Sequence, residues 1–497
     1  MSISFLFVPC LVSFIFIICL VLLCKKDVSE KGKDGLRSIP SPWAWPVIGN
    51  LPDLVWAGYK PEELMMKWMR RYGQIFSFQL GFQSVIVLNS YGLIKKAWHH
   101  PKLQNRAAPL VYIKALGPGK GLTFANGEEW KQCRTFVLNM FRNFGVGKKG
   151  FEEVVRNEGD KLVKEICRQG HVLDVSYIFS MSSCNIISKL VFNQQLEYTD
   201  PNLQEQVATV LKHFQLAGPG SLNSMTPIFA HFRIGPGQRI VNNYKVMKRL
   251  WCKQIQDHIK KGENSEHEDI LDVYLAELQK HLSAGTKTQF KMHNLLWLLR
   301  DLYLAGTETT STTLKWAVLY LAAHPEKQRK CHEELDKEFS QDCVLSYADR
   351  TKLPYVNAFI METLRLGDIL PLGVAHEAAE DVILEQYLIP KGTIVTSNIR
   401  AVSMDANIFP DPENFNPERF LTADGNYKAI EEMMPFGVGK RICLGEQIAR
   451  IELFLWITRL LKMFEIKIAD KTVPDISRAS TGLVRSPLPF KVEFAER

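Results

Sequence analysis

The sequence predicts a mainly helical domain with small β-sheets, an α+β fold, that follows an N-terminal transmembrane helix. Three observations predict it: residues 3–24 carry no charge, helical periodicity dominates the rest of the chain, and β patterns are confined to short stretches near residues 74–88, 382–388 and 490–494. No internal repeat and no second linker divides residues 51–497, so one large domain is the simplest organisation.

The uncharged segment at residues 3–24 is long enough, as a helix, to span a bilayer core that is ~30 Å thick. Lys25, Lys26 and Lys31 follow this segment, and no basic residue precedes it. The positive-inside rule therefore places the N-terminus in the lumen and the rest of the chain in the cytosol. A cleaved signal peptide is the alternative, but the basic n-region and the small-residue cleavage site that it requires are missing.

Residues 25–50 are predicted to form a basic and proline-rich hinge. Pro40, Pro42 and Pro46 exclude a helix and favour extended backbone. We expect this hinge to act as a stiff spacer between the membrane anchor and the domain at residues 51–497.

Composition and charge exclude several classes of protein. Apolar residues make up 46% of the chain and charged residues 23%, which is typical of a globular protein with a large core. The net charge of +8 is dispersed, and no basic stripe is interleaved with aromatic residues, so nucleic acid is not an expected partner. The ten cysteines form no CxxC pair. Their spacing predicts neither a disulfide framework nor a zinc site, and most are expected to be small buried hydrophobes in a reducing compartment.

The strongest motif is the loop Phe436–Gly445, which has the form FxxGxRxCxG. Glycines allow the backbone to turn and to approach a flat cofactor closely. Cys443 lies just before a helical pattern that runs to about Met463, and a helix N-terminus favours thiolate over thiol. A basic residue two positions earlier, Arg441, can pair with an acidic group of the cofactor. A thiolate bound to haem iron promotes cleavage of the O–O bond.

This loop resembles the haem-binding signature of the cytochrome P450 family, and further motifs match in order and spacing over about residues 40–497. The resemblance is to the microsomal branch, which acts on drugs, steroids and fatty acids. It implies the P450 fold, haem b as cofactor, and Cys443 as the axial ligand of the iron.

Residues 295–323 form the longest helical candidate. Arg300, Asp301 and Glu308 argue against a second transmembrane span and favour a buried helix. Midway along it, Glu308 and Thr309 place an acid beside an alcohol, a pair that can relay protons. The resemblance assigns this role to them, with iron-bound dioxygen as the acceptor. Gly306 is expected to leave room beside the helix.

Glu362 and Arg365 form an ExxR motif, whose members share one helix face and can pair. The resemblance adds Arg419, from the motif at residues 417–420, as a third member. It implies that these three charges fix the core beneath the haem and take no part in the chemistry.

Trp130 and Arg134 are four residues apart on a predicted helix and therefore project together. In the resembled family such a WxxxR motif bonds a haem propionate. By similar position, Arg106, His376 and Arg441 join this propionate-binding set.

The resemblance also implies partners and a location. The substrate pocket would be lined by five mostly apolar segments, so a lipophilic small molecule is expected. These segments are residues 105–124, 215–232, 300–309, 369–374 and 481–484. Electrons would come from NADPH through NADPH-cytochrome P450 reductase, since no GxGxxG follows a strand, and cytochrome b5 is a further candidate donor. Lys131, Arg142 and Lys440 are predicted to dock the reductase.

The predicted location is the endoplasmic reticulum membrane, with a single pass and a cytosolic catalytic domain. Residues 227–232 are a candidate for a second membrane contact. Asp368 places a charge where the resemblance implies apolar residues, and it either faces away or bonds a polar group of the substrate.

Three functions are compatible with these motifs. The first is a monooxygenase that consumes dioxygen and NADPH. The second is a haem-thiolate isomerase or dehydratase of the same fold, which acts on a peroxide without a reductase. The third is a non-catalytic haem-binding protein. The acid–alcohol pair Glu308 and Thr309 favours the first, because enzymes of the second kind commonly lack such a pair and a haem carrier needs no proton relay.

Overall fold

The structure is a computed structural model that describes residues 35–58, 60–108, 112–113, 116–117, 120–225, 236–261, 269–285, 288–469, 474–480 and 482–497. The predicted anchor at residues 3–24, the hinge up to residue 34 and the candidate membrane contact at residues 227–232 lie outside these residues. Among the described residues, no helix is both long enough and apolar enough to cross a bilayer.

The α-helices within this range are α1 Leu51–Trp56, α2 Pro61–Tyr72, α3 Tyr91–His99, α4 Gly127–Asn143, α5 Lys149–Arg168, α6 Ser176–Phe192, α7 Pro201–Met225, α8 Pro236–Lys261, α9 Ile270–Ser283, α10 Met292–Ala323, α11 Pro325–Glu338, α12 Pro354–Gly367, α13 Ile399–Ser403 and α14 Glu446–Met463. Short 3-10 helices are Pro101–Leu103, Tyr347–Lys352 and Pro417–Phe420.

The strands are β1 Ile75–Leu80, β2 Gln83–Leu88, β3 Val172–Leu173, β4 His376–Glu377, β5 Val382–Leu384, β6 Tyr387–Ile389, β7 Ile394–Ser397, β8 Phe464–Ile468, β9 Ala479–Ser480, β10 Ser486–Pro487 and β11 Val492–Glu496. The predicted α+β class, with helices dominant and small sheets, is confirmed. The three predicted β stretches are present as β1 with β2, β5 with β6, and β11.

The described residues group into two compact units. The smaller unit comprises the described residues up to Ala107 together with Leu372–Ala401, and the larger unit comprises Ala108–Pro371 and Val402–Arg497. Each unit is built from separated stretches of the chain. The sequence contains no linker at this division because neither unit is one continuous segment.

A four-stranded sheet in the order β1-β2-β7-β4 forms the centre of the smaller unit. β1 and β2 form an antiparallel hairpin, whereas β2 and β7 run parallel. All four residues of β7 are buried, which explains its continuous apolar and small-polar composition.

The described C-terminal end of the predicted hinge, residues 45–50, is bonded to β1 and is therefore part of the folded unit. Trp45 and Gly49 exchange backbone hydrogen bonds, and the N–H of Asn50 donates to the carbonyl of Gln79 in β1 at 2.7 Å. The Asn50 side chain returns this contact by accepting from the N–H of Gln79 at 3.0 Å. Spacer behaviour therefore does not extend to residues 45–50, because these bonds fix the segment to the sheet.

Helix α10 is the centre of the larger unit, and it packs against α6, α12 and α14. Nearly every residue of α10 is buried, including Trp297, Leu314 and Trp316. A helix that is apolar on all sides is stable only when neighbours surround it. The predicted buried helix at residues 295–323 is therefore confirmed, and the structure extends its start to Met292.

Candidate active site

The Cys443 loop precedes α14, as the sequence predicts. Gly437 and Gly439 adopt left-handed backbone angles, with φ of 76° and 80°. Side chains with a Cβ rarely adopt this conformation, so glycine is required at both positions. The loop closes through a hydrogen bond from the N–H of Cys443 to the carbonyl of Phe436 at 2.9 Å. This closure holds the sulfur at the N-terminal end of α14.

Cys443 differs from the other described cysteines because it is exposed. Burial of the sulfur among protein atoms nevertheless raises the pKa of its thiol, while the backbone N–H groups of Gly445 and Glu446 and the charge of Arg134 act in the opposite direction. The preference of Cys443 for the thiolate form stays a prediction for the protein with an iron at the sulfur, because a bound cation stabilises a thiolate.

The prediction that most cysteines are buried hydrophobes is wrong for the described ones. Only Cys184 and Cys331 are buried, and the four intermediate ones are Cys133, Cys167, Cys252 and Cys343. Cysteine spacing shows pairing patterns but not depth, because depth depends on which elements pack over each helix.

Three of the predicted propionate-binding residues meet beside the Cys443 loop. The Arg441 guanidinium carbon lies 4.2 Å from the centre of the Trp130 ring, and that of Arg134 lies 5.8 Å from it. Arg134 donates to the carbonyl of Ile442 at 3.0 Å, next to the cysteine. No carboxylate of the described residues forms an ion pair with Arg134. Burial and the charge of Arg134 lower the pKa of Arg441 to about 10.

Arg106 and His376 lie in the smaller unit. Both are buried, and Arg106 donates to the carbonyls of Val374 and Ala375. His376 lies in β4, stacks on Trp98 with ring centres 3.7 Å apart, and donates from Nδ1 to the carbonyl of Leu103 at 2.6 Å. These bonds fix both side chains, and a role in holding a cofactor stays a prediction for them.

The three charges of the predicted structural triad are in contact. Arg365 donates to both carboxylate oxygens of Glu362 at 2.7 and 2.8 Å, and Arg419 donates to Glu362 at 3.1 Å. The N–H of Asn416 adds a fourth bond at 2.8 Å. The remaining guanidinium N–H groups of Arg365 bind backbone carbonyls, including that of Ser403. A buried carboxylate is stable here because both of its oxygens accept hydrogen bonds and two guanidinium groups balance its charge.

Helix α10 is buried except along one short face. Ala305 is exposed and Thr309, one turn later, is partly exposed. The Thr309 hydroxyl donates to the carbonyl of Ala305 at 2.5 Å. Gly306 does not open onto this face, because a Cβ at this position would meet Ile187 of α6. The room that the sequence predicts beside Gly306 is therefore filled by a neighbouring helix.

Glu308 points in a different direction from Thr309. Its Oε1 accepts a hydrogen bond from Thr312 at 3.0 Å and lies 3.5 Å from Nζ of Lys315, two turns later on α10. Its Oε2 is buried without a hydrogen-bond partner among the described residues. Adjacent helical residues project about 100° apart, so the acid and the alcohol cannot face the same side.

Sequence reasoning missed Lys315. A basic residue inside an apolar helix is itself a signal, because a buried ammonium group needs a counter-charge. Lys315 is 4% exposed, and Glu308 is the carboxylate it pairs with. The predicted acid is therefore one half of a buried ion pair.

The predicted pocket segment at residues 300–309 begins with a second buried ion pair. Arg300 donates to Asp301 at 2.6 Å and to the hydroxyl of Tyr244 at 2.9 Å. Asp301 accepts the backbone N–H groups of Leu122 and Thr123 at 2.7 and 2.8 Å. These bonds attach the described part of residues 105–124 to α10. Within the predicted pocket segments, residues 109–111, 114–115, 118–119, 226–232 and 481, and the side chains at 218–225, lie outside the described residues.

Asp368 ends α12 with a left-handed backbone, φ 42°, and is 4% exposed. Lys131, Arg142 and Lys440, the predicted docking residues, are exposed on the larger unit. Nζ of Lys131 forms an ion pair with Oε2 of Glu128 at 3.4 Å, which partly neutralises its charge. That leaves Arg142 and Lys440 as the stronger candidates for contact with an acidic partner.

The residues around Cys443 fit a haem. Cys443 as a whole residue is exposed, and a Cβ built at Gly437 or Gly445 would meet no atom within 4 Å, so open space borders the loop. Two guanidinium groups and an indole lie beside it. This donor set matches a flat cofactor with an iron that binds sulfur and with acidic side groups.

Comparison with known proteins agrees with this geometry. The family model described as Cytochrome P450 matches residues 39–494. Human cytochrome P450 2J2 is 35% identical over 86% of this chain and 85% of its own length. Pig cytochrome P450 2E1 is 31% identical over 91% and 92%, and rat cytochrome P450 2C23 is 32% identical over 92% and 93%. With its cysteine loop, its charge triad and these matches along most of its length, the chain belongs to the cytochrome P450 family of haem-thiolate monooxygenases.

Proposed function

We propose that this enzyme inserts one atom of dioxygen into a lipophilic small molecule of the steroid, fatty-acid or xenobiotic type, with electrons from NADPH delivered by a separate flavoprotein reductase. The observation that carries the proposal is the exposed residue Cys443 beside two guanidinium groups, in a unit whose central helix is exposed midway along its length at Ala305 and partly exposed at Thr309. A small apolar face beside a single hydroxyl suits an apolar substrate.

Haem, when bound through the Cys443 sulfur, would supply the activation of dioxygen, because a thiolate ligand increases electron density at iron. Arg134, Arg441 and Trp130 would hold its acidic side groups by charge-assisted hydrogen bonds. Arg106 and His376 are proposed as further donors on the resemblance in sequence alone. The charge triad of Glu362, Arg365 and Arg419 supports this machinery and does not touch it.

Proton transfer is proposed to involve Glu308 and Thr309. The unpartnered Oε2 of Glu308 can receive a proton, while Lys315 and Thr312 hold Oε1. Since Glu308 and Thr309 face different sides of α10, water or a rotation of Glu308 has to link them. The Thr309 hydroxyl can then present that proton on the open face of the helix.

The alternatives differ in their need for these groups. An isomerase or dehydratase that acts on a peroxide takes its oxygen from the substrate, and a haem carrier performs no proton transfer. Glu308 is a buried acid that is paired at Oε1 and has no hydrogen-bond partner at Oε2 among the described residues, which supports a role in handling a proton. This observation favours the monooxygenase. NADPH consumption after addition of a reductase separates all three.

The location is proposed from the sequence. Residues 3–24 would anchor the chain in the endoplasmic reticulum membrane, with the described residues on the cytosolic side. Cytochrome b5, an acidic membrane haem protein, is a second proposed electron donor at the same surface.

The haem ligand is tested with Cys443→Ala. The reduced carbon monoxide complex should lose the red-shifted absorption band that thiolate ligation gives, because no other sulfur replaces Cys443. Cys343→Ser, at a half-buried cysteine in a loop, is the matched control and should retain the band. A band that survives in Cys443→Ala would contradict the assignment.

The reductase surface is tested with Arg142→Glu combined with Lys440→Glu. At low salt, turnover should need at least about tenfold more reductase, and the difference should shrink as salt screens the charges. Lys337→Glu, at an exposed lysine of α11, is the control. An unchanged reductase requirement at low salt would move the docking site elsewhere.

A further inference from the structure

Away from the Cys443 loop, the larger unit brings a thiol, an imidazole and a carboxylate together at the end of α5. Cys167 lies in the last turn of α5, His171 in the turn that follows, and Glu496 near the end of β11. The potential ligand atoms of these side chains all lie within 4.8 Å of one another. The sequence predicts no zinc site because its cysteines form no CxxC pairs. Glu496 is more than 300 residues away from Cys167 and His171 along the chain, so no local pattern connects the three.

The hydrogen bonding of His171 decides which ring nitrogen is available. Nδ1 lies 3.0 Å from the carbonyl oxygen of Phe494, which can only accept, so Nδ1 carries the proton and donates it. In the neutral ring Nε2 then has a free lone pair, and it lies 3.7 Å from Oε1 of Glu496. Metal-binding histidines are oriented in this way, with the second nitrogen bound to a carbonyl.

The separation between His171 and Glu496 suits two ligands of one metal ion. At 3.7 Å, the two atoms are too far apart for a hydrogen bond. On tetrahedral zinc, with bonds of ~2.0–2.1 Å, two nitrogen or oxygen ligands lie about 3.4 Å apart. The sulfur, within 4.8 Å of both, needs to approach by about 1 Å to complete the set.

The backbone around these three residues is fixed. The N–H of Phe494 donates to the carbonyl of His171 at 2.9 Å, and Glu496 pairs with Phe464 of β8. The last residue, Arg497, donates from its N–H to the carbonyl of Met463 at 3.0 Å. Cys167 also lies at the C-terminal end of α5, where the helix dipole favours a cation. His171 is 32% exposed, which gives an ion a path of entry.

A second cluster, of His258, Asp269 and Asp272, contains a histidine whose two ring nitrogens both have hydrogen-bond partners. In His258, Nδ1 lies 3.0 Å from the carbonyl of Gln254 and Nε2 lies 2.9 Å from Oδ2 of Asp269. Both nitrogens face acceptors and can donate to them, and the hydrogen bonds to the carboxylate of Asp269 and the carbonyl of Gln254 raise the pKa of His258 against the effect of burial. The hydrogen bond between Nε2 of His258 and Oδ2 of Asp269 therefore fills the position that a metal ion would take between these two atoms. No such bond joins His171 to Glu496.

We propose that Cys167, His171 and Glu496 bind one Zn²⁺ ion, with water as the fourth ligand. A thiolate and an imidazole select zinc over magnesium or calcium, which prefer oxygen ligands. Binding releases the thiol proton of Cys167 to solvent and forms the sulfur–zinc bond, with no change of oxidation state. The ion ties the end of α5 to β11 and is separate from the iron of the haem.

The test uses the full-length, haem-loaded protein. Equilibrium dialysis against buffered ZnCl₂, with metal counted by mass spectrometry, should give one tightly bound zinc per chain. Cys167→Ser and His171→Gln should each weaken that binding at least about 100-fold, and Glu496→Gln about tenfold. Cys343→Ser and His258→Gln are matched controls and should leave it unchanged.

X-ray absorption at the zinc edge identifies the ligands without interference from the haem iron. The bound zinc should have one sulfur neighbour at ~2.3 Å and nitrogen or oxygen neighbours at ~2.0–2.1 Å. Each variant should keep the thiolate carbon monoxide band, which shows that it is folded. Absence of tight zinc binding, a shell without sulfur, or unchanged affinity in folded Cys167→Ser or Glu496→Gln would each overturn the proposal.

Discussion

Two buried glutamates of the larger unit form ion pairs, but they are bonded to different degrees. Glu362 accepts four hydrogen bonds, from Arg365, Arg419 and the backbone of Asn416. Glu308 has Thr312 and Lys315 at one oxygen and no partner at the other among the described residues. A fully bonded carboxylate holds structure in place, whereas a partly bonded one keeps an acceptor free for chemistry.

The largest expected effect is on the fully bonded group. Arg365→Met should lower the free energy of unfolding by ~3–5 kcal/mol and reduce haem retention, because Glu362 keeps its charge without its main partner. The measurement is the urea midpoint of unfolding of the haem-loaded protein. Arg168→Met is the matched control, since Arg168 pairs with Glu165 at the same spacing but on the surface. A midpoint equal to that of the control would remove the distinction between the two glutamates.

The half-bonded group should respond in function more than in stability. Lys315→Met removes the charge that stabilises the Glu308 carboxylate, so we expect product formed per NADPH to fall about tenfold and hydrogen peroxide to rise. Lys315→Arg should restore most of the yield, because it keeps the charge. Lys337→Met, on exposed α11, serves as control. If Lys315→Met lowers the stability of the protein but leaves the product formed per NADPH unchanged, the Glu308–Lys315 pair is structural, like the pair of Glu362 and Arg365.

A third buried glutamate, Glu452, extends the comparison because it forms no ion pair with a described residue. Both carboxylate oxygens of Glu452, on α14, are buried without hydrogen bonds of normal geometry among the described residues. Burial raises the pKa of Glu452 to about 8. The folded protein therefore holds this group protonated at pH 7, and stability falls as pH rises from the unfolded pKa of ~4.3 to about 8.

Glu452→Gln should remove the Glu452 contribution to this dependence, which is at most about 1.4 kcal/mol per pH unit. Thermal unfolding of the haem-loaded protein between pH 5 and pH 8 measures it, and the variant should have the flatter profile. Glu158, a second buried carboxyl whose pKa burial raises to about 7, remains in both proteins, so the variant keeps part of the pH dependence. Parallel profiles for the two proteins would show that Glu452 is ionised in the fold.

Much of the site could be predicted from the sequence because local rules determine it. The glycines of the Cys443 loop are needed for left-handed backbone, Glu362 and Arg365 share a helix face, and Trp130 and Arg134 project together. Residue-level contacts across the fold were not predictable in this way. The filling of the space at Gly306 by Ile187 and the turn of Glu308 toward Lys315 depend on how α10 packs.

The sequence by itself determined the helical class, the long buried helix, the cysteine loop and the family, because periodicity, turn chemistry and motif spacing act over a few residues. Only the tertiary structure decided that Cys443 is exposed while Cys331 is buried, which oxygen of Glu308 is free, and that Glu496 meets Cys167 and His171. Burial, hydrogen-bond partners and meetings between distant segments are set by packing of the whole chain, and no local pattern encodes them.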